Sequence, residues 1–276
     1  MMPDTQKNSQ LAAAAPDIDS VLARIGELPQ TWHVSGSVGI QVLEAIARHL
    51  KGKRIRHSAE TGAGKTTLLF SHLSEHHTVF TVSGSANTID LVSKSPIVNL
   101  DTLEFVEGPS QLTLPRHQFS DKLQLAMLDG PHGYPFPDME YWCLYPHLDT
   151  GALLIVDDIQ IPTIYNLFRF IAEDDMFRLL EVASTTAIFE RTNAPAFEHL
   201  GDGWWLQNYN KARHPITNFD LDPGNVRIAD IKALVDQQAH LADQVRRMAD
   251  RLEQQNLATF GPQLQRMLRR LRFKKV

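Results

Sequence analysis

Apolar and polar positions along this chain follow two rhythms. From Asp17 to Leu28 the apolar residues Ile18, Val21, Leu22 and Ile25 recur at helical spacing behind Asp17, a residue type that caps helix N-termini. A second stretch of this kind covers Val38 to Leu50. From there to Thr192, short apolar runs alternate with helical patterns, which is the signature of βα units on a parallel sheet. The runs predict strands at Ile55 to Ala59, Thr78 to Val82, Leu103 to Val106, Leu123 to Leu128, Ala152 to Val156, Arg178 to Val182 and Ala187 to Glu190. Between them the pattern predicts helices at Thr66 to Ser74, Ala86 to Ser93, Asp138 to Leu148 and Ile161 to Ile171, and a loop from Gly108 to Ser120. The last two runs lie too close together for a crossover helix, so they form a hairpin. The fold class is α/β: a doubly wound sheet of seven strands, the last one antiparallel.

Residues 193 to 226 are irregular and carry Trp204, Trp205 and Tyr209; they read either as a packed surface loop or as a wall of a substrate pocket. The rhythm then changes. Ile231, Leu234, Gln238, Leu241, Val245, Met248 and Leu252 are spaced alternately by three and four, a heptad seam that pairs with another chain or docks on its own domain. Gly261 and Pro262 break this helical extension. Three regions follow: a leader and helix at 1–37, an α/β domain at 38–226, and a coiled-coil helix with a tail at 227–276.

The 276 residues are 43% hydrophobic and 21% charged, the composition of a folded domain, and they carry a net charge of −5. That charge is uneven. Residues 263 to 276 hold Arg266, Arg269, Arg270, Arg272, Lys274 and Lys275 and no acid, so the remainder sums to −11. Leu264, Met267, Leu268 and Leu271 make an apolar stripe beside those bases, a pattern suited to an anionic membrane surface as well as to a solvated helix end. The single cysteine, Cys143, excludes a disulfide framework and reads as a small buried apolar residue. No run is long enough to span a membrane, and the N-terminus lacks a secretory pattern. A cytoplasmic protein is expected, peripheral at the inner membrane face if the tail binds lipid. No nucleic-acid partner is expected.

The stretch HSAETGAGKTTLLF at 57–70 can be read in two ways. Ala59, Gly64, Lys65 and Thr66 fit a relaxed phosphate loop, and LLIVDD at 153–158 fits the acid-ended strand of an NTPase. Against this, the entering strand RIRHSA is polar, Ala59 replaces the first glycine, and Glu60 would repel phosphate oxygens. In the second reading, Glu60, Gly62 and Gly64 form the glycine turn after the first strand of a Rossmann-like sheet. There the backbone approaches a nucleoside, and the acid suits a cationic, hydroxyl-rich cofactor such as S-adenosylmethionine.

Two further segments, LDGPHGYPFPDMEYW at 128–142 and GALLIVDD at 151–158, place Asp129, Asp157 and Asp158 at the C-terminal ends of the fourth and fifth strands. Three converging carboxylates repel one another, and a divalent cation, Mg²⁺ or Mn²⁺, relieves that repulsion and can lower the pKa of a substrate hydroxyl. His132 lies near the same edge as a ligand, a general base or a loop-fixing group. Asp157 or Asp158 could instead cap the following helix. His147 sits in a helical stretch and reads as structural.

Together, ETGAGKTTLLF, LDGPHGY and GALLIVDD followed by Ile-Pro resemble the class I S-adenosylmethionine-dependent methyltransferases, and among them the bacterial group with an acidic-Gly-x-His-x-Tyr segment and a paired Asp. The resemblance covers about residues 38 to 192. It implies that Glu60, Gly62 and Gly64 bind the cofactor, that Asp129, Asp157 and Asp158 bind a metal, and that Asp129 and His132 lie beside the transferring methyl group. One departure stands out. At the end of the second strand the family places an acid for the ribose hydroxyls, and here Ser83 and Gly84 stand there, a weaker partner. The expected protein is an O-methyltransferase for a sugar or another small hydroxylated acceptor, oligomeric through its coil. A phosphate-loop ATPase and a degenerate fold used as a scaffold are the alternatives.

Overall fold

The segments LQLAML and ALLIV are apolar at every position but Gln124, and a strand with side chains on both faces of a sheet keeps such a composition only where both faces are covered. They form the centre of the sheet. The computed structural model describes residues 17–29, 32, 38–83, 87–198, 201–212 and 247. The chain divides into two compact units, Met1–Arg213 and His214–Val276. All seven positions of the heptad seam and the basic tail lie outside the described residues.

Seven strands, β1 (Ile55–Thr61), β2 (Ser74–Thr81), β3 (Leu103–Glu107), β4 (Leu123–Leu128), β5 (Leu148–Val156), β6 (Phe177–Ala183) and β7 (Thr186–Arg191), form one sheet in the order β3-β2-β1-β4-β5-β7-β6. The first five pair in parallel, and β7 runs antiparallel between β5 and β6. Ser184 and Thr185 alone join β6 to β7, and Ser184 takes a positive φ of 55°, as the first residue of a tight hairpin can. This is a Rossmann-like doubly wound sheet, as the sequence pattern predicts.

Helices cover both faces. On one lie α1 (Ile18–Gly26), α2 (Ile40–Leu50) and α3 (Lys65–Leu73), packed on Leu125, Met127, Leu153, Ile155 and Ile188. The Asp17 side chain accepts from the Asp19 amide and caps α1, whose Val21, Leu22 and Ile25 join this core. On the other face α6 (Phe136–Leu144) and α7 (Pro162–Glu173) meet the opposite parity, Ala126, Leu128, Leu154, Val156 and Phe189. The short helices α4 (Thr88–Ser93), α5 (Ser110–Thr113) and α8 (Asn208–Lys211) complete the described unit.

The largest boundary differences from the sequence pattern lie at β2 and at the junction of α6 with β5. β2 begins at Ser74, four residues early, because Ser74, His76 and His77 pair with β1 despite their polarity. The predicted helix over 138–148 ends at Leu144; Pro146, which has no N–H to donate, sits in the 3₁₀ turn Tyr145–His147, and β5 starts at Leu148.

Candidate active site

The chain winds outward from β1 through β2 to β3 and then returns to place β4 beside β1, so the course reverses between these two strands. At such a switch point the loops diverge and leave a crevice above the strand ends. Gly62 marks it. Its φ is +84°, and a Cβ there would overlap the carbonyl oxygen of Asp129, so only glycine lets the β1 turn come this close to the end of β4. A Cβ on Gly64 would meet open space.

Glu60 does not face that space. It is 1% exposed, and both oxygens are occupied by its own chain: Thr66 Oγ1 donates to Oε2 (2.7 Å), the Thr67 hydroxyl donates to Oε1, and His77 Nε2 lies 3.2 Å from Oε1. His77 Nδ1 is held in turn by Ser58 Oγ (2.7 Å), which donates to Ser74 Oγ. The Gly64 amide donates to Thr67 Oγ1 (2.9 Å). Glu60 thus anchors the glycine turn from below through a threonine hydroxyl. The sequence expectation for Glu60 is a cofactor contact; here its carboxylate is held by its own chain.

The same interactions remove support for a phosphate loop. Ala59, Glu60 and Thr61 are paired with β2 and β4, so only Gly62, Ala63 and Gly64 separate the strand from α3. Thr66, whose hydroxyl would meet magnesium in such a loop, is buried and turned to Glu60.

At the ends of β4 and β5, one ligand atom each from Asp129, His132 and Asp158 lies within 4.8 Å of the others. His132 Nε2 is 3.2 Å from Asp158 Oδ2 and 3.8 Å from Asp129 Oδ1. Asp158 adopts a φ of +56°, uncommon for a residue with a side chain, and Gln160 Nε2 donates to its Oδ1 (2.6 Å). Burial pushes the Asp129 carboxyl up to about 7, helped by the charges of Asp157, Asp158 and Glu60 and opposed by His132. Asp129, with Asp158 and Asp157 near it, raises the His132 imidazole above its ordinary value. Two hard carboxylate oxygens beside an imidazole, with Asp129 held back from ionising chiefly by its burial, fit a divalent cation.

Asp157 stands apart from this group. Its side chain is buried and accepts the Thr186 hydroxyl of β7, its amide donates to Leu128 O (3.0 Å), and burial raises its pKa. Consecutive residues leaving β5 point in opposite directions, so the paired Asp contributes Asp158 to the cluster while Asp157 joins strands. Neither caps α7, whose N-cap residue is Ile161.

Glu140 is a site residue that the sequence reading missed. It lies on α6, 1% exposed, and accepts from Thr61 Oγ1 (2.9 Å) and Ser110 Oγ (2.6 Å). Thr61 Oγ1 accepts from the Asp129 amide (3.1 Å). A Cβ on Gly130 would overlap the Glu140 carboxylate, so the β4 turn rests directly on it. Burial pushes Glu140 up to about 7. The sequence did hold a signal: Pro137, Glu140, Tyr141 and Leu144 form the buried stripe of α6, and an acid on an apolar stripe is out of place unless it is held.

The remaining expected residues sort simply. Ser83 lies half-buried two positions beyond the end of β2, at the same strand edge. His147 packs against Phe119 with centroids 4.9 Å apart, and burial pushes the Cys143 thiol up to about 11, which makes it inert. A groove of about 490 Å³ is lined by Gln160, Tyr165, Asn166, Ser184 and Thr185 with Ile159 and Pro162.

No family model matches the chain, and no curated protein does. Solved structures do. An O-methyltransferase from Bacillus cereus in complex with SAH is 12% identical with a TM-score of 0.48, covering 66% of this chain and 94% of that one. The O-methyltransferase TomG from Streptomyces achromogenes, in complex with SAM, is 13% identical with a TM-score of 0.47 over 66% of this chain and 93% of its own. Cofactor-bound Rv0187 from MTB is 15% identical with a TM-score of 0.48 over 70% of this chain and all of its own.

Proposed function

We propose that the protein is an S-adenosylmethionine-dependent O-methyltransferase that uses Mg²⁺ or Mn²⁺ and acts on a sugar or another small hydroxylated metabolite. The observation that carries this reading is the meeting of two features at one switch point. The glycine turn at Gly62–Gly64 lies directly against Asp129, and Asp129 belongs to the cluster with His132 and Asp158.

In this reading the sulfonium supplies a methyl group open to in-line displacement, and the cation supplies a Lewis acid for the acceptor hydroxyl. The chain does the rest. Gly62 and Gly64 admit the cofactor to the crevice, Ser83 offers a hydroxyl to its ribose, and Asp129 and Asp158 hold the cation. His132 Nε2, made more basic by the carboxylates beside it, takes the acceptor's proton. The groove between α7 and the β6–β7 hairpin suits a neutral, hydroxyl-bearing acceptor, since Gln160, Asn166, Ser184 and Thr185 offer hydrogen bonds and no lining residue is charged.

Calorimetric titration with S-adenosylhomocysteine and with ATP, each with and without Mn²⁺, tests it. Binding of the former, strengthened or unaffected by Mn²⁺, is expected. Tight ATP binding with no response to the homocysteine compound would overturn the reading, and binding of neither would mark a scaffold. Replacing His132→Gln separates base from ligand: methyl transfer falls while Mn²⁺ affinity stays.

A further inference from the structure

Trp204, Trp205 and Leu206 are consecutive, and each is more than half exposed, at 52, 56 and 55%. Three large apolar side chains in a row at this exposure are unusual on a soluble surface, because each keeps in water the area that folding normally removes. They do not belong to a loose end. A 3₁₀ turn, Trp204–Leu206, holds them, with the Leu206 amide bonded to Gly203 O (2.9 Å) and Asn210 Nδ2 bonded to Trp204 O (3.1 Å). The two indoles stand edge to face with centroids 6.1 Å apart. Behind them α8 is fixed by Tyr209, whose ring lies 5.5 Å from Phe170 of α7. The scaffold is ordered and the apolar tip points outward.

We infer that Trp204, Trp205 and Leu206 are the insertion point through which the protein docks on an anionic phospholipid bilayer. The chemistry of the tip favours a bilayer interface, since indole combines a large apolar face with an N–H donor and settles at headgroup depth. The charge of the chain selects the lipid. Its first 262 residues sum to −11 and are repelled by an anionic surface, so an apolar tip alone holds it poorly there, whereas residues 263–276 carry six bases and six apolar side chains. Stable peripheral anchoring takes two signals, and the sequence of the tail supplies a basic one beside the apolar tip. No described helix is long and apolar enough to cross the bilayer, so the docking is peripheral. The inference is independent of the proposed catalytic reading.

Flotation of the full chain with vesicles of phosphatidylcholine alone and of equal parts phosphatidylcholine and phosphatidylglycerol tests it, with tryptophan emission recorded in parallel. The expected result is flotation with the anionic vesicles only, loss of binding at high salt, and a blue-shifted emission. The variant Trp204→Ala/Trp205→Ala should bind about tenfold more weakly with an unchanged melting temperature, and Trp204→Phe/Trp205→Phe should recover part of the loss. Failure of the full chain to float overturns the proposal, as does equal flotation of the alanine variant. So does a change of oligomeric state in the alanine variant, which would make the tip a contact between chains.

Discussion

Two groups of acids lie within a few residues of the same sheet edge, and they do opposite work. Glu60 is buried and accepts from Thr66 and Thr67, with His77 Nε2 beside it, so its carboxylate is satisfied inside the fold. Asp129 and Asp158 are about a third exposed, stand beside one another, and share only His132 as a basic partner in their cluster. Charge that the fold satisfies is structural, whereas charge that the fold leaves crowded at a crevice is available to a ligand. Glu140 lies between these cases. It repeats the construction of Glu60, a buried carboxylate reaching an edge amide through a threonine: Glu60 through Thr67 to Gly64, and Glu140 through Thr61 to Asp129.

The neighbours Asp157 and Asp158 give the sharpest test of this contrast. Asp158→Ala should weaken Mn²⁺ binding and methyl transfer by about 100-fold or more, with little change in melting temperature because a repulsion is removed. Asp157→Ala should do the reverse: it leaves the Thr186 hydroxyl unpaired at a cost of about 1–3 kcal/mol while Mn²⁺ affinity stays within a few-fold. Equal effects of the two substitutions on metal affinity would break the distinction.

Glu60→Ala should be costly in stability, about 3 kcal/mol in urea unfolding, because several buried donors lose their acceptor at once. Glu60→Gln keeps an acceptor and should lose less. A direct cofactor contact predicts a different outcome, in which both variants fold as well as the parent and lose S-adenosylhomocysteine affinity only.

Glu140 makes a pH signature. Its carboxyl is raised to about 7 from an ordinary value near 4.5, so the folded protein holds a proton that the unfolded chain has released. Stability from this group is fully present below the unfolded value and is lost as pH rises through about 7, an effect on the order of 3 kcal/mol. The charges facing it are Asp129, which raises it further, and His132, which opposes. In metal-free buffer the parent should unfold at lower urea at about pH 8 than at about pH 5, and Glu140→Gln should flatten that slope. The salt-bridged surface acids Glu75, Asp90, Glu181 and Glu190 have the opposite sign, being held below their ordinary range, and act only in acid.

How much of this was legible in the sequence depends on what each signal encodes. Apolar runs report burial, and so LQLAML, ALLIV and the closing hairpin located the sheet and its antiparallel strand. Polar strands carry no such signal, which is why Ser74–His77 were not seen as part of β2: their side chains enter a hydrogen-bonded cluster or pair with acids. Position along a motif placed Asp129, His132 and Asp158 at one edge. Position does not give direction: the Glu60 carboxylate points into α3 and the Asp157 side chain reaches Thr186 of β7. Glu140 needed a different inference, from the helical stripe it shares with Pro137, Tyr141 and Leu144, and that stripe becomes visible only once α6 is known to lie on the sheet.

The smallest expected effect concerns Ser83, where this chain has a hydroxyl in place of a carboxylate. Half-buried and two residues past β2, it stands at the edge shared with Gly62 and Asp129, where a ribose would offer two hydroxyl donors. A carboxylate accepts from both and forms charge-assisted bonds, each roughly twice as strong as a neutral one. Ser83→Asp should therefore tighten S-adenosylhomocysteine binding by about tenfold, which corresponds to about 1.4 kcal/mol, without altering Mn²⁺ affinity. The added charge remains well away from the group that Asp129 and Asp158 form only if the ribose lies between them. A tightening of Mn²⁺ binding together with the nucleoside would place Ser83 inside the cation's reach and move the ribose elsewhere, while no change in either would remove β2 from the cofactor site.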